Sequence, residues 1–193
     1  MKKGHIFFIS WVAGAGKWTL IKQLLEKNIP NLELSISCKT RDFRAWETQG
    51  IDYHKLSVAQ FQQAIENNEF LEYNFVHNQN YYGTRMADVI ENGIEKWKII
   101  LTEMDMLALP KLMYSHPTIR QDYTYIFLDL PIEKIKQRMK KRWDDTTGKD
   151  FENRIQSAQK EINLKNLADH VIDADRNPNQ VLKDVYEIIS KKI

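Results

Sequence analysis

Glycine is scarce in this chain, at 7 of 193 residues, about half the usual share of ~7%. A chain with many tight turns should need more. Cysteine is scarcer still. Cys38 stands alone, so no intrachain disulfide can form, and a reducing compartment is expected. No apolar run approaches the roughly 18 residues of a membrane span. Met1 to His5 leads straight into a short apolar run without a small-residue cleavage site, so no secretory leader is expected. These features together predict a cytoplasmic protein. Neither sign of charge dominates, since 28 Lys and Arg face 26 Asp and Glu for a formal charge of +2. Overall charge therefore gives no argument for a nucleic-acid partner, and basic function must be sought in local clusters.

What is present begins with Ile6 to Leu20. Ile6 to Ile9 is an apolar run long enough for one buried strand. Gly14 and Gly16 break it, and Lys17 follows at once. From Thr19 the pattern turns helical, with Leu20, Ile21, Leu24 and Leu25 on one face. Strand, glycine-bearing turn, lysine and helix are the layout of a phosphate-binding loop. Its backbone N–H groups converge on an anion, and the helix N-terminus adds partial positive charge. The signature G-x-x-x-x-G-K-[ST] is met at Gly16 and Lys17 and broken at two places, by Trp11 and Trp18. On its own the stretch also fits an ordinary βα turn.

Further along, Leu32 to Ser37 alternates like a strand. Lys39-Thr40-Arg41-Asp42-Phe43-Arg44 is basic, and reads either as a solvated loop or as an anion clamp in which guanidinium groups grip phosphate. Gly50 to Leu56 alternates like a strand. Ser57 can cap a helix over Val58 to Asn67, with Phe61, Ala64 and Ile65 inward. Phe70 to Val76 predicts a strand, Asn78 to Asn80 a turn, and Met86 to Asn92 a helix. Ile99 to Leu101 and Tyr125 to Leu128 read as buried strands. The first ends at Glu103 and Asp105, where α/β sheets bind ligands. A basic helix follows Pro131, a polar loop covers 144–149, and a helix spans Phe151 to Leu167. Val171-Ile172 is a short strand, and Val181 to Ile189 a closing helix. Strands alternating with helices predict an α/β protein with a parallel sheet flanked by helices. In length it fits one domain, or one with an inserted lid. The stretch 35–85 reads as a small mixed insert and 138–154 as a helical lid, leaving 1–34, 86–137 and 155–193 as the core.

The chain resembles the guanylate kinase family. Four segments carry the likeness in order: Gly14-Ala15-Gly16-Lys17; Ser35-Ile36-Ser37 with Thr40-Arg41, Arg44 and Glu47; Gly50-Ile51-Asp52-Tyr53; and Phe70-Leu71-Glu72 with Asn80-Tyr81-Tyr82-Gly83-Thr84. The resemblance implies a P-loop fold and phosphoryl transfer from ATP to GMP, with Mg²⁺ carried on the ATP phosphates and Glu103 as a candidate ligand. It implies that Ser37, Arg41, Arg44, Tyr53 and Tyr82 hold the GMP phosphate. Glu72 and Thr84 would read the guanine edge, and Glu47 and Asp105 also match GMP-pocket positions. Ala13, Gly14, Ala15, Gly16, Lys17, Trp18 and Thr19 would form the ATP loop, and Arg138, Arg142 and Arg154 would close over its phosphates. Lys17, Arg41, Arg138, Arg142 and Arg154 would then carry catalysis, by positioning and charge neutralisation. The partners implied are small nucleotides, with neither nucleic acid nor membrane, in a monomer or homodimer.

All five tryptophans, Trp11, Trp18, Trp46, Trp97 and Trp143, fall where these kinases accept glycine. This accounts for both the glycine deficit and the tryptophan surplus. One cause suffices, a UGA codon that means Gly in the source organism and is read here as Trp. The alternative is five genuine tryptophans in a drifted relative. An indole at Trp11 would crowd the triphosphate, and Trp18 removes the hydroxyl expected near Mg²⁺. As written, the chain is therefore expected to phosphorylate GMP poorly. Two other functions compete. A catalytically silent guanylate-kinase-like binding module suits the damaged loop but has no use for Lys17 and the lid arginines. A related kinase acting on a ribose bisphosphate has no guanine for Glu72 and Thr84 to read.

Overall fold

The computed structural model describes residues 4–12, 17–76, 79–142 and 148–193. The side chains of Lys17, Trp18, Arg142, Lys149 and Asp150 lie outside that description. The chain divides into two compact units. The first comprises Met1–Phe8, Asn31–Met104 and Ala108–Tyr123; the second comprises Ile9–Pro30, Asp105–Leu107 and Thr124–Ile193.

The apolar runs become strands, as their composition requires. In the first unit, β1 (His5–Trp11) begins; Ile6 to Phe8 are fully buried, and the strand continues as the second unit from Ile9. β2 (Leu32–Leu34) stops three residues short of the alternation that suggested it, and a two-residue β3 (Cys38–Lys39) follows. Gly50 to Leu56 is mostly turn. Only β4 (His54–Lys55) is strand, because Gly50 takes φ +74 and folds the chain back on Tyr53. α1 (Lys17–Leu25) precedes these elements, and α2 (Val58–Glu66) follows them. The expected Ser57 cap is present as a full capping box. Its hydroxyl accepts from the Gln60 N–H, and the Gln60 side chain accepts from the Ser57 N–H.

β5 (Phe70–Val76) and β6 (Asn80–Arg85) pair antiparallel, with Glu72 opposite Thr84. β6 also pairs antiparallel with β3, and β3 runs parallel to β4. The result is a mixed sheet ordered β4-β3-β6-β5. α2 lays Phe61 and Ala64 onto it, against buried Cys38 and Phe70; Ile65 is only partly buried. Phe61 stacks on Phe70 at 4.3 Å and on Tyr81 at 5.2 Å. Burying one such ring contributes roughly 1.5–3 kcal/mol. At Gly83 a Cβ would lie 2.9 Å from the Glu72 carbonyl oxygen and 3.1 Å from the Phe61 ring, so only glycine lets helix and strands close this tightly.

The helix expected over Met86 to Asn92 is a single five-residue π turn, Ala87–Glu91. A short 3-10 turn, Ile94–Lys96, then leads to β7 (Ile99–Glu103). α3 (Leu109–Ser115) and the 3-10 stretch Pro117–Asp122 were not anticipated from the sequence.

The second unit holds β8 (Tyr123–Asp129) from Thr124 onward, α4 (Ile132–Arg142), α5 (Lys149–Asn163), β9 (His170–Asp173) and α6 (Pro178–Ser190). The predicted helix to Leu167 ends earlier, at Asn163, and Lys165–Leu167 is a separate 3-10 turn. Within the first unit β2 runs parallel to β7, and within the second β8 runs parallel to β9. No helix among the described residues is long and apolar enough to cross a membrane.

Two tryptophans differ in backbone. Trp97 caps the 3-10 turn before β7 in the left-handed conformation, φ 64 and ψ 21. The other described non-glycine residues at positive φ are all asparagines: Asn28, Asn31 and Asn68. Asparagine tolerates that region through its short polar side chain, whereas Cβ of a bulky residue crowds the carbonyl. Trp46 carries no such strain, since it is not among the positive-φ residues and its indole is 65% exposed.

Candidate functional site

The first unit holds all the residues assigned to the acceptor nucleotide except Asp105. Arg41 lies just past β3 and is engaged on every nitrogen. Nε donates to the Tyr82 hydroxyl at 3.0 Å, Nη1 to the Asp42 carbonyl, and Nη2 to both Glu47 oxygens at 2.7 and 2.9 Å. Glu47 gains that position because the chain turns at 44–47, where the Arg44 carbonyl accepts from the Glu47 N–H. The Glu47 carboxylate also accepts from the Arg44 N–H at 2.8 Å and from Lys39 Nζ at 2.5 Å. Its side chain is only 2% exposed. Burial alone would raise the carboxyl, but hydrogen bonds from Lys39, Arg44 and Arg41 outweigh it and lower it from 4.5 to about 2.

Tyr53 stands beside this cluster. Its ring meets that of Tyr82 edge-on at 6.2 Å, and its hydroxyl donates to Glu103 at 3.2 Å. Burial first, then the Glu103 charge, push that phenol far above its usual value, so it stays a neutral donor. Ser37 is buried just before β3. Across the same sheet, Glu72 and Thr84 are both buried, and the Thr84 hydroxyl donates to the Glu72 carboxylate at 2.6 Å.

Lys39 is the residue sequence reasoning did not isolate. It was part of a basic stretch, yet its side chain is fully buried. Its ammonium lies 4.4 Å from the Tyr53 ring centroid and 4.5 Å from that of Phe43. No local pattern marks it, because its partner, Glu47, is brought in by the turn.

The second unit holds the other candidates separately. Asp105 accepts from the Leu107 N–H at 2.8 Å. Glu161 on α5 was not foreseen; burial, and then the charge of Asp105, raise its carboxyl well above the usual range. Arg138 on α4 pairs with Asp175 at 3.2 Å, and Lys134 with the same carboxylate at 3.2 Å. Arg154 lies on α5 and Thr19, exposed, on α1. Ala13, Gly14, Ala15 and Gly16, the side chains of Lys17, Trp18 and Arg142, and Trp143 lie outside the described residues.

The family model described as Guanylate kinase matches residues 4–192. The chain belongs to the guanylate kinase family. A guanylate kinase of Clostridium tetani is 35% identical over 191 residues, covering 98% of this chain and 87% of its own length. A guanylate kinase of Malacoplasma penetrans is 35% identical over 195 residues, covering 99% of this chain and 97% of its own. The crystal structure of guanylate kinase from Anaplasma phagocytophilum shares the fold, with a TM-score of 0.77, 23% identity, and coverage of 99% of this chain and 87% of that one. Guanylate kinases are nucleoside monophosphate kinases, so enzyme class and fold follow from membership.

Proposed function

We propose that this chain transfers the γ-phosphoryl group of ATP to GMP, giving ADP and GDP. The observation that carries this reading lies on one sheet. A buried carboxylate and hydroxyl, Glu72 and Thr84, sit on β5 and β6, and the cationic cluster of Lys39 and Arg41 with Tyr82 sits along β3 and β6. A purine with an N–H edge and a phosphate monoester would satisfy both. Glu72 would accept from the guanine N–H and amino groups, and adenine, with a ring-nitrogen lone pair where guanine has N–H, would be disfavoured against that carboxylate. Ser37, Arg41, Arg44, Tyr53 and Tyr82 would hold the phosphate, with Glu47 fixing Arg41.

The attacking oxygen is already anionic phosphate, so no general base is required. Residues 13–19 would cup ATP, and Arg138, Arg142 and Arg154 would neutralise its phosphates while water is kept out. Mg²⁺, when bound, would offset the negative charge of the nucleotide phosphates. Among the described residues, no three His, Cys, Asp or Glu side chains could together hold an ion. The ion would be delivered by the nucleotide, with Glu103 as a candidate ligand. A reducing, cytoplasmic setting and a monomer or homodimer complete the reading.

We further infer that the natural residue at positions 11, 18, 46, 97 and 143 is glycine, written as tryptophan through a UGA codon. The left-handed backbone at Trp97 supports this. The chain as written would then be an impaired kinase. A coupled ATP-consumption assay with GMP, AMP and dGMP, run alongside the five-glycine variant, tests the whole reading. GMP-dependent turnover is expected, faster in the variant. GMP binding without ATP consumption in either protein would move the chain to the binding-module class.

A further inference from the structure

Lys39 has a fully buried ammonium beside a carboxylate that other cations already satisfy. Glu47 accepts from Arg41 Nη2 on both oxygens and from the Arg44 N–H, so it has no need of a lysine to be hydrogen-bonded. Burying an ammonium is costly unless it is compensated. Here the compensation is the Glu47 contact at 2.5 Å and two aromatic faces, Tyr53 and Phe43. The side chains of Lys39 and Arg41 set two positive charges against the Glu47 carboxylate they share. The surplus is one positive charge, offered to an anion such as a phosphate monoester. Without Lys39, Glu47 would cancel the charge of Arg41.

We propose that Lys39 is a positioning residue for the phosphate of the acceptor nucleotide: by taking up the charge of Glu47, it lets that carboxylate orient Arg41 without cancelling the positive field the phosphate meets. Lys39 does not itself touch the nucleotide. Its effect is exerted through Glu47, whose oxygens it shares with Arg41. Burial tends to lower the lysine, while the Glu47 hydrogen bond tends to keep it charged. The inference rests on the GMP-kinase reading above and deepens it.

The test is equilibrium binding by calorimetry, with GMP and guanosine as paired ligands, so that impaired ATP use does not interfere. Lys39→Met keeps length and shape and removes the charge. It is expected to weaken GMP binding at least tenfold while leaving guanosine within twofold of wild type. Lys39→Met with Glu47→Gln removes one charge of each sign from the cluster and restores the positive surplus. It is expected to bind GMP at least threefold more tightly than Lys39→Met alone. Retention of GMP affinity in Lys39→Met overturns the proposal. Equal losses for GMP and guanosine overturn it too, and assign Lys39 to folding alone. A wild-type chain that binds guanosine but gains nothing from the phosphate would likewise overturn it. No binding of either ligand by wild type would overturn the GMP reading itself, and this inference with it.

Discussion

The Thr84 hydroxyl donates to the Glu72 carboxylate at 2.6 Å, across the strand pair that sets the two residues face to face. Both are buried, so the carboxylate is held in a defined orientation with one oxygen partnered by Thr84. Glu72→Gln converts an acceptor to a mixed donor and acceptor of the same shape. It is expected to weaken GMP binding by about 10- to 100-fold, the scale of a charged hydrogen bond of about 1.5–3 kcal/mol. AMP, which has no use for the carboxylate, should change little. A titration of both nucleotides against both proteins measures it, and parallel losses would remove Glu72 from base recognition.

Glu47 gives a pH signature. Its carboxyl titrates near 4.5 when unfolded and near 2 in the folded chain. A depressed carboxyl stabilises the fold above the unfolded value, and that stabilisation fades as pH falls from about 4.5 towards 2. Glu47→Gln cannot titrate there. Denaturant unfolding from pH 5 to pH 2.5 should show the stability difference between wild type and Glu47→Gln shrinking on acidification. A pH-independent difference would contradict the ion-pair account.

Trp97→Gly should stabilise the protein. A left-handed bulky residue costs about 1–2 kcal/mol, part of which glycine returns through its freer unfolded chain. The net gain of about 1 kcal/mol corresponds to a Tm rise of about 2–4 °C in a chain of this size. The indole is 49% exposed, so little packing is lost. Trp97→Ala, which keeps a Cβ, should give no rise, and a scanning calorimeter distinguishes the two.

In the phosphate loop, Trp11→Gly with Trp18→Gly is expected to raise kcat/KM for ATP at least tenfold. The backbone there must approach phosphate more closely than a large side chain allows. Steady-state kinetics decide it, and equal values for both proteins would refute the crowding argument. Independently, the coding DNA should read UGA at all five tryptophan positions; five UGG codons would end the recoding hypothesis.

The sequence made some of this structure plain and hid the rest for physical reasons. Ile6 to Ile9 and Tyr125 to Leu128 were readable because strands buried on both faces must be continuously apolar. Ser57 was readable because capping is a local bond between residues three apart. The strand expected over Gly50 to Leu56 shrinks to His54–Lys55 because alternation does not register a left-handed Gly50. α3 was passed over although Pro110 sits in its first turn, a usable start signal. The candidate site followed from motifs at Ser37, Arg41, Arg44, Glu47, Tyr53, Glu72, Tyr82 and Thr84. The burial of Lys39 did not, since it depends on where Glu47 and two aromatic rings arrive from elsewhere in the chain.

Cys38, the one thiol, is wholly enclosed where β3 meets β6, and burial pushes it towards the unreactive protonated form. A thiol reagent in solution can reach it only when that sheet comes apart. The molecule thus carries a built-in clock, since the rate at which the native protein is alkylated counts the openings of its β4-β3-β6-β5 layer without any added probe.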